Sequence, residues 1–432
     1  MAEFTAEAFQ NEFLPDGGTD VHAIVRFTAR DTASGVAGAT AIGSAGGADA
    51  AEIIIVDTSG SMGVNGIRQG VYAAGAAIQE ILDGTWFAVI AGNHVGSLVY
   101  PRSPVAAMVR MDARTRAEAL AAIQLFRADG GTAMGTWLSA ARAVFSTVPQ
   151  AGRRHAILLT DGANEHETPE QLSAAIAAAT GVFQCDCRGV GDRWQVGEVR
   201  RIASALLGTV DLIPAPEHMA AEFAAMMRAS MARGIANADL RVWAPQGAQV
   251  LFVRQVAPTL EELTARRAEV NALTGGYPTG AWSDESRDYH VAVRLPARSV
   301  GQEQLASRVQ LVVGDQTVAQ ALVKATWSND DALTTRIAPE VAAYTGRAEL
   351  AAAIQDGLAA KAAGNDAEAT SKLGRAVQLA TQAGDDEMTS RLKKVVDIED
   401  PEAGTVRLKK GVEKLDEMAL DTASTKTSRV RR

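Results

Sequence analysis

The stretch Ile53-Ile54-Ile55-Val56-Asp57-Thr58-Ser59-Gly60-Ser61-Met62 constrains this chain more than any other. Branched apolar residues run directly into a carboxylate, hydroxyls and a glycine. An apolar run without polar alternation reads as a strand buried on both faces, the habit of strands in parallel sheets. In the loop that follows, Asp57, Ser59 and Ser61 occupy alternating positions. Such a loop can turn three oxygens towards one point, while Gly60 lets the backbone bend tightly. One carboxylate with hydroxyls suits a small hard cation that keeps part of its water.

Two later stretches can complete the site. Gly130-Gly131-Thr132 precedes an amphipathic helix and offers a further hydroxyl. Ile157-Leu158-Leu159-Thr160-Asp161-Gly162 repeats the design of an apolar strand ending in Asp then Gly. Ligands of open α/β sheets gather outside the carboxyl ends of the strands, so all three loops are expected at one edge. Asp57 and Asp161 could instead cap helices, but a cap leaves the alternating serines unexplained. Thr132 alone would read as a helix cap. Asn164, Glu165 and His166, with Glu167, read as a polar rim that tunes partner choice; catalysis or a second metal is the other reading. His94 and His155 lie in strand-like stretches and read as structural.

Taken together, Asp57-x-Ser59-x-Ser61, Thr132 and Asp161 resemble the metal-ion-dependent adhesion site (MIDAS) of von Willebrand factor A (VWA) domains, in the family's order. The resemblance implies that Ser59, Ser61 and Thr132 ligate Mg2+ or Mn2+ directly and that Asp57 and Asp161 act through water. It also implies one coordination position left for an acidic group of a protein partner. More broadly, the chain resembles bacterial, actinobacterial-type VWA proteins that carry added β and helical regions.

Bulk properties narrow the setting. A chain of 432 residues exceeds one ordinary core, so two or three domains are expected. A formal net charge of −9 argues against nucleic-acid binding and against anionic membrane surfaces. No run approaches a membrane span, and Met1-Ala2-Glu3-Phe4-Thr5 shows no signal-peptide pattern. Cys185 and Cys187 are two apart, on one face of a strand but too distant to bridge comfortably. Two reduced thiols fit a cytoplasmic location. Neither a Gly-x-Ser-x-Gly elbow nor a phosphate-binding Gly-x-x-x-x-Gly-Lys loop occurs, so no enzyme is expected.

The expected fold class is α/β: a doubly wound, mainly parallel (VWA/Rossmann-like) sheet inserted into a β-sandwich, followed by a C-terminal helical hairpin or bundle. Residues 1–48 read as strands around the turn Pro15-Asp16-Gly17-Gly18, pairing with the later sandwich, and Gly43 to Ala51 as a connector. Residues 49–233 alternate strand and helix signals, residues 234–332 read as the sandwich, and residues 333–398 as a TPR-like helical bundle. Residues 399–432 read as a C-terminal tail. Thr425 and Thr427 there are possible phosphorylation sites for a phosphopeptide-binding, FHA-type domain, against the plainer reading of a solvated tail.

These observations point to a cytoplasmic, metal-dependent protein-binding module, a scaffold or regulatory adaptor whose divalent cation captures a partner Asp or Glu. The alternatives are a metal-dependent hydrolase with Glu165 or His166 as base, and a VWA subunit cooperating with an AAA+ ATPase.

Overall fold

The computed structural model describes residues 2–31, 49–102 and 107–427. The chain divides into two compact units, one drawn from Ala33–Ala236 and the other from Ala2–Thr32 with Asn237–Arg432. Part of the expected Gly43 to Ala51 connector lies outside the described residues.

Among the described residues of the first unit, seven strands form one sheet. Their order is Val210–Ile213, Gln184–Val190, Arg153–Thr160, Ala50–Asp57, Trp86–Gly92 and Gly96–Tyr100, with Val109–Arg110 also paired to Trp86–Gly92. The first five run parallel, and Gly96–Tyr100 and Val109–Arg110 run antiparallel to Trp86–Gly92. Every residue of Ala50–Asp57 is buried, as its unbroken apolar run requires. From this central strand the chain first moves to one side, to Trp86–Gly92, and later returns to the other, to Arg153–Thr160. That reversal opens a crevice at the carboxyl ends of the two neighbouring strands Ala50–Asp57 and Arg153–Thr160. Ile54 and Val56 share a core with the helices Gly63–Glu80, Ala113–Ile123 and Met219–Met231. Helix Pro169–Ala179 starts as its sequence signals: Thr168 accepts from the Gln171 N–H and Pro169 fills the first turn.

Away from the crevice, the same strands carry a buried charged cluster. The two ring nitrogens of His155 lie 2.8 Å from Glu52 and 2.9 Å from Asp186. Ser230 donates to Glu52, and Thr209 and Arg233 donate to Asp186. Burial alone would lower the His155 pKa, but the Glu52 charge and the Asp186 hydrogen bond outweigh it and raise it. Burial would raise Asp186, but the charge of Arg233 and the bond to His155 hold it well below the usual carboxylate range. Cys185 and Cys187 are both buried and free, their sulfurs 3.8 Å apart.

The second unit contains the β-sandwich, and its sheets are built from both ends of the sequence. One sheet has the order Ala2–Gln10, Asp20–Asp31, Glu285–Arg294, Gln249–Ala257, Glu261–Glu262. The other has the order Ala268–Asn271, Thr274–Trp282, Ile235–Trp243, Glu303–Val313, Gln316–Trp327, Phe13–Leu14. The N-terminal hairpin pairs into the sandwich through Asp20–Asp31, with Val25 opposite Tyr289, so the α/β sheet is an insertion. Strand Thr274–Trp282 has no clear sequence signal, because its glycines and proline depress β propensity. Its backbone nevertheless runs buried along most of its length, with Val270 and Arg267 close against Gly276 and Gly275.

Helix Pro339–Ala362 docks on the first of these sheets. Arg26 forms a two-pronged ion pair with the fully buried Asp288, at 2.8 and 2.7 Å, and the Tyr344 hydroxyl donates to the same carboxylate at 2.7 Å. Helices Asp366–Ala383 and Asp386–Val395 follow, capped by Asn365 and Asp385. The expected tail from residue 399 onward is instead folded through residue 427. Val396–Asp400 and Thr405–Leu408 pair as a hairpin, and helix Lys414–Ser424 buries Met418 and Leu420. Val396, Val406 and Leu420 join the helical core with Leu350, Leu373 and Leu392. Each of these apolar signals is short and interrupted by charge, so the burial emerges only when they pack together. Thr427 donates its N–H to Pro258 and its hydroxyl to Val256, and Leu260 donates to Thr425. Ser428 to Arg432 lie outside the described residues. Among the described residues, no helix is long and apolar enough to cross a membrane.

The His155 cluster sets a pH window for the first unit. His155 binds its proton more tightly folded than unfolded, so its stabilisation is full below about pH 6.5 and is lost as pH rises through the raised folded value. Asp186 acts on the other side: its contribution is present above about pH 4 and is lost as pH falls further. His155→Gln should cost about 3–5 kcal/mol near pH 6, because it removes the hydrogen-bonded counter-charge of the buried Glu52 and leaves Asp186 to Arg233 alone. The gap to the parent chain should shrink as pH rises, as denaturant unfolding at several pH values will measure.

Candidate functional site

Asp57 ends the central strand and is fully buried. Its Oδ1 accepts from the Ser59 N–H at 2.8 Å, and its Oδ2 accepts from the Thr160 hydroxyl at 2.7 Å. Both bonds fix the carboxylate against the ends of two neighbouring strands. The Ser59 and Ser61 hydroxyls lie 2.9 Å apart, and Ser61 donates to Asp161 Oδ1 at 2.6 Å. A side-chain carbon built on Gly162 would lie 3.0 Å from Ser61 Oγ and 3.2 Å from Thr132 Oγ1. All five residues that resemble the adhesion site therefore converge on one small volume at the carboxyl edge of the sheet.

Backbone bonds lock the loops together. The Thr58 N–H donates to Gly92, Gly60 to Gly130, and Asp129 to Thr58. Gly130 has φ +68°, a conformation that favours glycine, and the His94 ring occupies the place of its missing side chain. The His166 ring lies against Gly131 in the same way.

The rim residues are more engaged than their sequence suggests. The Asn164 side chain accepts from the Met134 N–H at 2.7 Å and Glu167 accepts from the Gly135 N–H at 2.7 Å, so both cap helix Met134–Phe145. His166 Nδ1 accepts from the Thr132 N–H at 3.2 Å while the His166 N–H donates to the Thr132 carbonyl. Asn164 and His166 thus hold Thr132 and its helix in position, and Glu165 is left exposed. Thr425 and Thr427 belong to the other unit and take no part here. Beside the site lies a cavity of about 450 Å³ lined by Val95, Gly96, Thr136, Ala140, His166 and Glu167, among others.

Three contributors escaped the sequence reading. Thr160 stood inside the quoted motif without a role, and its hydroxyl is what grips Asp57. Glu167 stood in the acidic run, but only the fold reveals the helix it caps. Arg193, in the loop after Gln184–Val190, directs Nη1 at the Ser61 carbonyl at 3.4 Å, and nothing in its local sequence marks it.

Among the described residues, no cation forms an ion pair with Asp57 or Asp161, and Arg193 is the charge that reaches the site. Burial raises Asp57 to about 6, against the lowering effect of the Ser59 and Thr160 hydrogen bonds, with the Asp161 charge adding to the rise. Burial also raises Asp161, opposed by the Ser61 bond and the Arg193 charge. Two desolvated carboxylates beside three hydroxyls are a donor set that fits a hard divalent cation. Among the described residues, no cluster of three or more His, Cys, Asp or Glu side chains is arranged to hold a metal. Any ion here therefore depends on hydroxyl oxygens.

Known proteins resemble the chain both locally and along its whole length. Residues 50–212 match the family described as the von Willebrand factor type A domain, and residues 378–424 match the von Willebrand factor type A C-terminal domain. The second match takes in the hairpin of Val396–Asp400 and Thr405–Leu408 and the whole of helix Lys414–Ser424. A solved von Willebrand factor type A structure from Catenulispora acidiphila is 44% identical, with a TM-score of 0.91, covering 99% of this chain and 98% of that one. The ArnB paralog VWA2 from Sulfolobus acidocaldarius shares the fold at 14% identity and a TM-score of 0.57, covering 98% of both chains. An uncharacterized protein from Synechocystis sp. is 28% identical over 217 residues, which is 49% of this chain and 50% of that protein. The match thus spans about half the length of that relative.

Ionisation of Asp57 opposes folding. An acid raised from about 4 to about 6 stabilises the folded state at low pH, and that contribution, about 3 kcal/mol, is lost as pH rises through 6. In EDTA, carbon NMR of the Asp57 carboxyl should show a titration midpoint near 6.

Proposed function

The chain belongs to the bacterial von Willebrand factor type A family, which supports a protein-interaction, adhesion-type module, and we propose that this module captures an acidic partner through a divalent cation. The observation that carries the proposal is the convergence of Asp57, Ser59, Ser61, Thr132 and Asp161 at the switch point of the sheet. Ser59, Ser61 and Thr132 would hold Mg2+ or Mn2+ directly, with Asp57 and Asp161 acting through water, and the bound ion would supply a Lewis-acidic position for a partner Asp or Glu. The residues of the chain do the rest. The Ser59 N–H and the Thr160 hydroxyl orient Asp57 and favour its ionised form against the effect of burial. His166 and Asn164 hold the Thr132 loop so that its hydroxyl needs no rearrangement. This preorganisation lowers the ordering cost of capture.

We place the module in the cytoplasm, as a scaffold or regulatory adaptor; the buried free thiols of Cys185 and Cys187 support a reducing compartment. A hydrolytic role draws less support. The His166 Nδ1 lone pair already accepts from Thr132, and Glu165 is exposed. A phosphopeptide reader at Thr425 or Thr427 also draws less, because the chain there is hydrogen-bonded to Val256, Pro258 and Leu260. A VWA subunit cooperating with an AAA+ ATPase is a further reading, which co-purification of such an ATPase would support.

Calorimetry should detect Mg2+ or Mn2+ uptake by the parent chain. Asp57→Ala and Asp161→Ala should each weaken uptake about ten- to a hundredfold while leaving the circular dichroism intact. Gly162→Ala, whose added carbon would press on Ser61 and Thr132, should fall between. Partner retention in magnesium and its loss in EDTA would follow the same order. Retention that survives both Asp substitutions and EDTA would overturn the mechanism.

A further inference from the structure

A fourth loop reaches the same edge of the sheet. It leaves strand Gln184–Val190 as Gly191-Asp192-Arg193-Trp194, and it is pinned on both sides of Arg193. The Gly191 N–H donates to Ile213 at 3.1 Å, and the Trp194 indole donates to the Gly191 carbonyl at 3.0 Å. The buried Trp194 ring fills the space that a side chain on Gly189 would need. Arg193 itself is exposed. Its guanidinium has one long bond, at 3.4 Å to the Ser61 carbonyl, and forms no ion pair among the described residues. Its charge still reaches Asp161, where it opposes the rise that burial causes.

Charges of both signs surround the site. Asp57 and Asp161 together cancel one divalent cation, which leaves the loaded centre neutral. Arg193 adds a positive charge beside the ion site, with the exposed Asp192 next to it in the same loop and Glu198 accepting from the Asn164 N–H at 3.3 Å. On the cavity side, Glu167 caps its helix. A guanidinium presents a planar fork of donors that suits a carboxylate. That fork belongs to an exposed side chain and reaches the carbonyl of Ser61, one residue of the proposed ion site, at 3.4 Å.

We propose that Arg193 is a specificity-determining residue of this site, and that its occupant is a partner segment carrying two nearby carboxylates, one for the ion and the second for the Arg193 guanidinium. The segment lies with its acidic flank over Arg193 and its uncharged flank towards Val95, Gly96 and Ala140. The proposal rests on the metal-capture reading above and adds a directional requirement to it.

Arg193 also predicts opposite signs for two equilibria. A fixed positive charge near the ion position opposes metal uptake and favours an anionic ligand. A residue that merely braced the Ser61 carbonyl would favour metal uptake. The test uses the full chain, Mn2+, and two blocked peptides, Gly-Asp-Gly-Asp-Gly and its single-acid analogue Gly-Asp-Gly-Asn-Gly. Mn2+ affinity is read by calorimetry, and peptide affinity is read at saturating Mn2+. For the parent chain the two-acid peptide should bind about five- to tenfold more tightly than the single-acid one, the range of a partly exposed charge-assisted contact. Arg193→Gln should bind Mn2+ as tightly as the parent or about threefold more tightly, yet lose that peptide preference. Arg193→Lys should keep the charge effect on Mn2+ and part of the preference.

Equal peptide preference in the parent and in Arg193→Gln would overturn the proposal. So would weaker Mn2+ binding in Arg193→Gln, which would mark Arg193 as a brace for the Ser61 loop. A parent chain that takes up no Mn2+ would instead sink the metal reading itself, and the proposal would fall with it.

Discussion

Asp57 is a carboxylate placed where water does not reach, at the tip of the strand on which the whole sheet is wound. A buried carboxylate is costly unless it is hydrogen-bonded and charge-compensated. Here the Ser59 N–H and the Thr160 hydroxyl meet the first need, and nothing among the described side chains fully meets the second. The surrounding loops follow from that constraint. Gly60 and Gly130 bring their backbones together, Thr58 bonds across to Gly92, and Ser61 extends the hydrogen-bonded chain to Asp161. The site reads as a preorganised negative cradle, strained electrostatically rather than sterically.

Elsewhere the chain compensates its buried charges from within. His155 and Arg233 together balance Glu52 and Asp186, and the cluster ties the end of the helical layer, through Ser230 and Arg233, to three adjacent strands. Arg26, Asp288 and Tyr344 do the same for the sandwich and helix Pro339–Ala362. In both places an acid buried in a sheet acquires a donor from a helix, so sheet and helix are held in one register. The contrast with Asp57 and Asp161 is informative. Where the fold needs only stability, the counter-charge is internal; at the crevice it is withheld.

The sequence signals that worked were those with strong periodicity or dense local chemistry. The unbroken run Ile53 to Val56 marked a doubly buried strand because few other settings accept it. The turn Pro15-Asp16-Gly17-Gly18 marked strands on either side of it that belong to the sandwich, although the partner of Asp20–Asp31, Glu285–Arg294, lies far along the chain. Signals failed where burial depends on many weak contributors. Thr274–Trp282 looks like a turn because of its glycines, yet small residues are what its close-packed neighbours demand. The region from residue 399 onward looks like a solvated tail, since the apolar residues there are flanked by charge. Only the surrounding helices give those residues a shared face.

By itself, the sequence determined the parallel sheet, the edge at which its loops meet and the five oxygen-bearing residues those loops carry. These are local properties: residue type, spacing and strand polarity. Tertiary structure alone decided which neighbours act on them. Thr160 grips Asp57, His166 and Asn164 turn inward to hold Thr132, and Arg193 arrives from a loop whose sequence gives no hint of its destination. Hydrogen bonds and charges act over a few ångströms of space regardless of separation along the chain, so their partners become known only once the strands are in order.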